Sequence, residues 1–588
     1  MFRAFESPLR RRLPMSIAST PKLVPRSVPA RRETRVADQI AEVLVRHRID
    51  RVFGIPGGAI SPVFDALYAA NIQLVTCQHE TMAVYAAAGY ARVTGCPGVV
   101  AVTSGPGALN ALTGLASAGR DELPVMVLSG EADMRNFGRS PLQDGSASGL
   151  DLLTLVRPLT KFAEMAMRPE RAPTVVDQAL SIISQQPCGA AFVSLPVNLT
   201  HSSVIPAWMP GLINRGLEPD VAGCRRIASM LAGASRPAIM LGVGAKRAGI
   251  GQLVVEIAEA MRVPVLTDIE GKGVFPESHP LALGVFGVGN RGKAHAYLAE
   301  PVDLLLTIGC RLDDTTTGGY ADVLRPEYGE LVQLDHDPNR IGRSYPPDLA
   351  MCADLGRTLQ LIQELLPNPT PQQLLDRDRV IRPFRPEPEQ AVSYESVAPH
   401  DPRLIAPAVR EVVGSEAAFV CDIGNHMLFT AQSLSVDHPD AFWASLGLGG
   451  MGSGIGTAIG MQLAHGHLKQ VVCICGDGSM MMSGNELATC ARYNIPLITV
   501  VFNDRQLGMV EQGFRGLFGR SPDFRNPEVD FASYGRSLGL AAERLDNLAD
   551  LPDIIANYAG RPLLIDVPIN PDATTANVRV DILSSDSD

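Results

Sequence analysis

The sequence predicts an α/β protein with three doubly wound parallel-sheet domains. The chain has 588 residues, of which 46% are hydrophobic and 19% charged, so it can bury several cores. Apolar strand patterns alternate with helical patterns along its length, which favours parallel sheets. Glycine-rich turns follow several of these strands, and ligands of open α/β sheets bind at such strand ends.

Composition and charge exclude several classes of protein. The net charge is −11 and no basic stripe appears, which argues against nucleic-acid binding. No apolar stretch approaches the roughly 18 residues of a membrane-spanning helix. The ten cysteines are scattered, and Cys473 and Cys475 lie in an apolar run without metal-type partners. We therefore expect reduced cysteines in an intracellular protein.

Residues 1–34 differ from the rest of the chain, because they are rich in Arg, Ser and Pro and poor in acidic residues. They lack the apolar core of a secretory signal. We predict a disordered tail on a cytoplasmic protein; the alternative is an organelle transit peptide.

Strand patterns and breaks divide the remainder. Residues 35–200 form the first predicted domain, with strands in RVFGIPGG, IQLVTCQHE, GVVAVTSGPG and LPVMVLSGE. Residues 204–366 form the second, and the Pro-rich residues 367–401 read as a linker. Residues 402–575 form the third, with strands in AAFVCDIGNH, VVCICGDGS and IPLITVVFND.

Two acidic turns in the third domain indicate a metal site. Asp477 lies between Gly476 and Gly478 at a strand end, and a helix is predicted from Ser479. Such a turn binds anions, and a carboxylate beside a phosphate needs a cation between them. Asp504 ends the next strand. Parallel neighbours would bring both turns to one edge, where the two carboxylates and a backbone carbonyl could hold Mg²⁺ against a diphosphate.

Each piece alone has an ordinary structural interpretation. The GDGS stretch is compatible with a simple turn, and Asn503-Asp504 with a helix cap. Their strand–helix–strand spacing favours the metal site.

Several stretches resemble the thiamine diphosphate-dependent enzymes, and among them the acetolactate synthase group. The similar stretches are FGIPGGAISPVFDAL, QHETMAVYAAAGYARVTGCPGVVAVTSGPGALNALTGLASA and GDGSMMMSGNELATCARYNIPLITVVFNDRQLGMV. The resemblance implies pyrimidine-binding, middle and diphosphate-binding domains, in that order. It also implies a homodimer or homotetramer, with each active site shared between two subunits.

The resemblance assigns roles to individual residues. Glu80 would be catalytic, with its carboxylate bound to N1′ of the aminopyrimidine ring; without the family pattern it would be an ordinary acid in a first helical turn. Gln506 would add a metal ligand to Asp477 and Asp504. His426 and Met451, which alone would be read as structural, join a wider cofactor-binding set: Gly424, Asn425, His426, Gly449, Met451, Gly476, Asp477, Gly478, Ser479, Asp504, Gly508 and Met509.

The resemblance also bears on the reaction. Decarboxylases of this superfamily carry an acid in the first glycine turn and a His-His pair, and this chain has neither. We therefore predict carboligation, in which a 2-oxo acid, pyruvate by expectation, is decarboxylated and its acyl unit joined to a second carbonyl. The alternatives are a decarboxylase or C–C lyase, or a non-catalytic relative. The predicted substrate residues are Gly58, Gln143, Lys161 and Gly513; a loop Gln and a solvated Lys are equal readings of Gln143 and Lys161.

Three departures from the family pattern affect the substrate pocket and the flavin. Gly513 replaces a Trp and Leu142 a Phe, which implies a larger pocket for the acceptor. Gln186 stands near the place of a flavin-binding Arg, while GVFGVGN and CRLDDTTTG resemble the flavin type. FAD is therefore possible but not required by the sequence.

Overall fold

Three six-stranded sheets flanked by helices make up the protein, as seen in a computed structural model. The predicted fold class is therefore confirmed. The predicted tail over residues 1–34 lies outside the described residues except for its last two. The structure describes residues 33–205, 217–289, 292–327, 329–387 and 392–575.

The N-terminal domain carries the first sheet. Its strands are β1 (Thr34–Arg35), β2 (Arg51–Gly54), β3 (Gln73–Thr76), β4 (Gly98–Val102), β5 (Val125–Glu131), β6 (Phe162–Met165), β7 (Ala190–Pro196) and β8 (Ser203–Val204). Its helices are α1 (Val36–Arg46), α2 (Ser61–Ala69), α3 (Glu80–Thr94), α4 (Pro106–Arg120), α5 (Leu152–Val156), α6 (Ala172–Ile183) and α7 (Val197–His201). The parallel order is β3-β2-β4-β5-β7-β6, and β4, β5 and β7 are buried throughout because helices cover both faces.

The middle domain has the doubly wound strand order β11-β10-β9-β12-β13-β14, whose switch point lies between its first and fourth strands. The strands are β9 (Pro237–Leu241), β10 (Val265–Thr267), β11 (Ala282–Val285), β12 (Leu304–Ile308), β13 (Glu330–Asp335) and β14 (Leu349–Cys352). The helices are α8 (Val221–Gly233), α9 (Val243–Arg247), α10 (Gly251–Met261), α11 (Lys293–Ala299), α12 (Asp314–Thr317) and α13 (Leu355–Leu365).

The stretch predicted as a linker contains a helix, α14 (Pro371–Ile381). Thr370 and Gln373 form a capping box at its start, and Pro occupies its first position. Arg377 on this helix is buried and donates hydrogen bonds to the carbonyls of Leu231 (2.7 Å) and Met261 (2.6 Å). This part of the connecting stretch therefore packs on the middle domain.

The C-terminal domain carries the third sheet, in the order β16-β15-β17-β18-β20-β19. Its strands are β15 (Ala418–Cys421), β16 (Phe442–Ala444), β17 (Val471–Gly476), β18 (Ile498–Asn503), β19 (Ala541–Arg544) and β20 (Leu563–Pro568). Its helices are α15 (Pro402–Val413), α16 (Asn425–Ser433), α17 (Ser453–His465), α18 (Asp477–Ser483), α19 (Leu487–Tyr493), α20 (Gly508–Phe518), α21 (Phe531–Ser537) and α22 (Leu551–Asn557).

Helices α3 and α17 join the N-terminal and C-terminal domains at close range. A Cβ on Gly89 would collide with the carbonyl of Thr457, and a Cβ on Gly460 would collide with the carbonyl of Ala86. Glycine at these positions lets the two helix backbones approach directly. The docking of the two domains therefore depends on having glycine, which lacks a side chain, at both positions.

We expect Gly460→Ala to destabilise the protein, because the added methyl group must push α17 away from α3. The apparent melting temperature should fall by about 3 °C or more. Gly233→Ala is the matched control, since this helical glycine has open space around its Cβ position. A Gly460→Ala protein as stable as the control would contradict the close docking.

Candidate active site

The two acidic turns lie at one edge of the C-terminal sheet. Strands β17 and β18 are parallel neighbours, with Gly476 opposite Phe502, so Asp477 and Asp504 follow adjacent strand ends. Burial raises the pKa of Asp477, and burial together with the Asp477 charge raises the pKa of Asp504 to about 7. The two carboxyl groups thus repel each other in a place that excludes water.

Hydrogen bonds orient both carboxyl groups. The side-chain amide of Asn526 donates to Oδ2 of Asp477 (3.0 Å). The side-chain amide of Gln506 approaches Oδ2 of Asp504 (3.5 Å) and donates to the carbonyl of Pro571 (2.9 Å). Since the side chain of Gln506 points into these contacts, its backbone carbonyl is the group left to act as a metal ligand, and that role of Gln506 stays a prediction.

A divalent cation fits this pair of carboxylates. Mg²⁺ takes oxygen ligands and typically keeps only one or two protein carboxylates while phosphate oxygens fill other positions. Among the described residues there is no group of three or more His, Cys, Asp and Glu side chains arranged for a metal. A site completed by a diphosphate needs only the two carboxylates and a carbonyl.

The glycine turns beside the carboxylates close onto His426 of helix α16. A Cβ on Gly424 would lie 2.6 Å from the His426 ring, and a Cβ on Gly476 would lie 3.0 Å from it. Burial lowers the pKa of His426 to about 4, so its imidazole is neutral near pH 7. Within the described part of the chain, Nε2 of His426 and Oδ1 of Asn425 are buried without a partner. Such atoms fit a polar ligand that would pair them.

Asp422 ties the remaining cofactor residues together. Its Oδ1 accepts hydrogen bonds from the hydroxyl of Ser479 (3.1 Å) and the N–H of Gly452 (2.9 Å). Met451, next to Gly452, lies over the acidic turn: its Cε is 3.0 Å from the Cβ position of Gly478. This bond network explains how the predicted loop around Gly449 and Met451 is held over the turn.

Helix α20 borders the same edge and carries the predicted residues Gly508, Met509 and Gly513. A Cβ on Gly508 would lie 2.7 Å from Oδ2 of Asp504, so glycine is needed there. Gln512 on this helix accepts a hydrogen bond from the Asn425 side chain (3.1 Å). The start of α20 is thereby fixed against both the metal turn and helix α16.

Glu80 begins helix α3 at the carboxyl end of β3 and is 8% exposed. Its Oε2 accepts a hydrogen bond from the side-chain amide of Asn110 (3.0 Å), and its Oε1 lies 3.3 Å from the Cβ position of Gly107. Both partners belong to the N-terminal domain. In the part of the chain that the structure describes, no hydrogen bond joins the Glu80 side chain to Asp477 or Asp504.

The predicted substrate residues divide into two groups. Gln143 lies 2.9 Å (Cβ) from the Cβ position of Gly105 and receives a long hydrogen bond from Thr103 (3.5 Å), so it lies near the glycine turn that faces Glu80. Gly58 starts a short helical turn beside the same turn, with open space around its Cβ position.

Lys161 lies elsewhere in this chain. It precedes β6 and donates hydrogen bonds to the carbonyls of Gln185 (3.1 Å) and Pro187 (2.6 Å), at the amino ends of the strands. Glu80 follows the carboxyl end of β3. The structure therefore does not bring Lys161 and Glu80 together within one chain, and the role of Lys161 stays a prediction.

The sequence interpretation missed Asn110 and Asn526. Asn110 lies 30 residues from its partner Glu80, and Asn526 lies 49 residues from its partner Asp477. Neither side chain has a local pattern that marks it as part of a site. Only the tertiary fold reveals that they orient the two key carboxylates.

Comparisons with known proteins agree with this arrangement. Three family models match: the thiamine pyrophosphate enzyme N-terminal TPP-binding domain (residues 34–150), central domain (224–362) and C-terminal TPP-binding domain (422–567). The acetolactate synthase isozyme 3 large subunit of Escherichia coli (strain K12) is 31% identical over 90% of this chain and 94% of its own. The acetolactate synthase large subunit of Pyropia yezoensis is 30% identical over 90% and 91%.

A solved structure shows the same fold. The thiamine diphosphate-dependent 4-hydroxybenzoylformate decarboxylase of Rhodococcus jostii RHA1 aligns with a TM-score of 0.80 and 23% identity, over 92% of this chain and 100% of that one. The chain belongs to the thiamine pyrophosphate enzymes. Within that class it is an enzyme of the acetolactate synthase type. None of its described helices has the length and apolar character to cross a membrane.

We expect Asp504→Asn to weaken Mg²⁺ binding by about tenfold or more, since a charged ligand becomes neutral. The metal-free protein should become more stable near pH 8. Because the pKa of Asp504 is raised to about 7 in the folded state, its stabilising contribution is present below pH 4 and lost as the pH rises through 7. Asparagine does not ionise, so the Asp504→Asn protein should not lose this stability as the pH rises.

Magnesium titration and thermal melts in a chelator measure the two effects. Asp523→Asn is the control, because this aspartate of the same domain is 62% exposed and pairs with Arg525 (2.8 Å). Unchanged Mg²⁺ affinity in Asp504→Asn would show that Asp504 is not a ligand.

Proposed function

We propose that the protein decarboxylates a 2-oxo acid, with pyruvate as the expected donor, and joins the acyl unit to a second carbonyl compound. The observation that carries this proposal is the set of groups around Glu80. In the described part of the chain, Glu80 accepts a hydrogen bond from the amide of Asn110 and lies beside the glycine turn that also contacts Gln143 and Thr103. These are neutral groups that do not readily release a proton.

The proposed site residues form two groups, one around Asp477 and Asp504 and one around Glu80. Thiamine diphosphate, when bound, supplies the electron sink that lets a 2-oxo acid lose CO₂. Asp477, Asp504 and the Gln506 carbonyl would hold Mg²⁺ and through it the diphosphate. Glu80 would bind the aminopyrimidine N1′ and move a proton there, while Asn110 fixes its orientation.

A site without a good acid favours carboligation. Thiamine diphosphate would allow two outcomes after loss of CO₂, release of an aldehyde or joining of the acyl unit to another carbonyl. Because Asn110, Gln143 and Thr103 are poor acids, protonation would be slow and attack on the acceptor would compete well. Gly513 on helix α20 and the 89% exposed Leu142 beside Gln143 leave space for an acceptor larger than pyruvate or 2-oxobutyrate.

We infer that the enzyme works as a homodimer, or as a pair of dimers in a tetramer. Glu80 and the two carboxylates proposed to bind the metal lie in different domains, and no hydrogen bond joins them in the described part of one chain, which supports a site completed by a second chain. Apolar side chains also stay exposed beside both surfaces of a single chain: Leu142, Met481, Met482, Phe514 and Phe518. An exposed apolar surface of this kind is typical of an interface.

Close contacts in the crevice of the middle domain support an enzyme that works without FAD. A dinucleotide would bind at the switch point between β9 and β12. There the Gly244 N–H donates to the Gly309 carbonyl (2.8 Å), and an Asp268 carboxyl oxygen lies 2.7 Å from the Cβ position of Gly242. Arg311 is already paired with Glu270 (3.1 Å). We therefore propose a flavin-free enzyme.

We also propose a cytoplasmic location. All ten cysteines are free, and seven of the ten are fully or nearly fully buried. Free thiols are typical of a reducing compartment.

Product analysis tests the proposed reaction. The purified protein with thiamine diphosphate and Mg²⁺ is incubated with pyruvate and a panel of aldehyde and ketone acceptors. We expect a new carbon–carbon bond in the products, and we expect no flavin absorbance in the same sample. Acetaldehyde as the sole product would favour the second candidate function, a decarboxylase. Stoichiometric flavin in the purified sample would contradict the proposal of a flavin-free enzyme.

Glu80→Gln is the control for this assay. It should lower product formation by about 100-fold or more, because the proton acceptor is lost while the carboxamide keeps the shape. Cofactor binding should change little, since the diphosphate would be held through Mg²⁺ by Asp477, Asp504 and Gln506. Full activity in Glu80→Gln would revive the interpretation of a relative that does not use this chemistry.

A further inference from the structure

Glu486 is a buried carboxyl group with no role in the site as described so far. It is 1% exposed and ends the short turn between α18 and α19. The same chain segment begins at Asp477, so Glu486 lies on the continuation of the metal turn. Burial raises its pKa to about 7, which shows that the fold keeps an ionisable group in an unfavourable place.

The Glu486 carboxyl reaches across to the N-terminal domain. Its Oε2 accepts hydrogen bonds from the backbone N–H of Gln78 (2.9 Å) and of His79 (3.2 Å). Its Oε1 accepts a hydrogen bond from the hydroxyl of Thr489 (2.8 Å). Gln78 and His79 immediately precede Glu80, so this carboxyl fixes the backbone from which the catalytic side chain projects.

A second residue of the same segment holds the preceding strand. The Tyr493 hydroxyl accepts a hydrogen bond from the N–H of Thr76 (2.9 Å) and donates one to the carbonyl of Leu74 (3.2 Å). Tyr493 contacts strand β3, whereas Glu486 contacts the turn between β3 and α3. Of the two, Glu486 is the one next to Glu80.

We propose that Glu486 is a positioning residue for Glu80, and that it fixes the β3–α3 turn against the segment that carries Asp477. This inference rests on the proposed function. In the dimer proposed above, Glu80 serves the cofactor held by the partner, whereas Asp477 belongs to the site of its own chain. Glu486 therefore connects the two active sites of the dimer through one chain.

The geometry predicts which substitutions are tolerated. Glutamine keeps the reach of Glu486, because its carbonyl oxygen can accept from both N–H groups while its amide meets the Thr489 hydroxyl. Aspartate keeps the charge but withdraws its oxygens by one methylene. Alanine removes the contact. A displacement of about 1 Å in a catalytic group can cost about 100-fold in rate.

The experiment compares Glu486→Gln, Glu486→Asp and Glu486→Ala in the full-length protein. Three quantities are measured: amide hydrogen exchange of residues 74–80 without cofactor, the Kd of thiamine diphosphate with Mg²⁺, and the exchange rate of the cofactor C2 hydrogen. We expect Ala and Asp to expose the amides and slow C2 exchange by about 10- to 100-fold. Gln should stay within about threefold of the unaltered protein, and the Kd should change little in all three.

Tyr493→Phe is the matched control, because it loosens the same strand without touching the turn before Glu80. It should leave C2 exchange close to that of the unaltered protein. Equal C2 exchange in Asp and unaltered protein would overturn the proposal, and so would a Gln variant as slow as Ala, since charge would then matter and position would not. If Ala does not fold, the Asp and Gln variants decide.

The outcome separates this inference from the proposed function. If the unaltered protein does not speed C2 exchange above that of free thiamine diphosphate, the proposed function fails. If it does and Glu486→Asp matches it, only the role of Glu486 fails.

Discussion

The repulsion between two buried carboxyl groups, Asp477 and Asp504, is the constraint on which the site depends. Parallel pairing of β17 and β18 places both at one sheet edge. Burial and the Asp477 charge raise the pKa of Asp504 to about 7, so this pair of carboxyl groups is electrostatically unfavourable. In the proposed function a divalent cation and a diphosphate would remove the conflict, and the glycine turns and unpartnered polar atoms around the pair fit such a ligand.

The carboxyl group proposed to be catalytic, that of Glu80, is oriented by a different set of contacts. Glu80 is oriented by Asn110 within the N-terminal domain, and its backbone is held by Glu486 from the C-terminal domain. Close helix contact at Gly89 and Gly460 keeps these two domains docked. In the proposed dimer, the N-terminal and C-terminal domains of one chain would therefore serve two different cofactors.

The sequence was sufficient for the elements that depend on local pattern. The alternation of strands and helices predicted three parallel sheets, and the turns after neighbouring strands predicted that Asp477 and Asp504 would meet. It was insufficient for contacts between distant segments. Glu486 lies 408 residues from Gln78, and no periodicity or turn pattern reports such a pairing. The same applies to the ion pair of Arg311 and Glu270 in the middle domain.

The shared active site is the central claim, and complementation between two inactive chains tests it most directly. A Glu80→Gln chain and an Asp477→Ala chain are co-expressed with different tags, and the mixed dimer is isolated. A shared site predicts that this dimer holds one intact centre and regains about half the activity of the unaltered dimer. A mixed dimer as inactive as its parents would show that each chain completes its own site and would contradict the account.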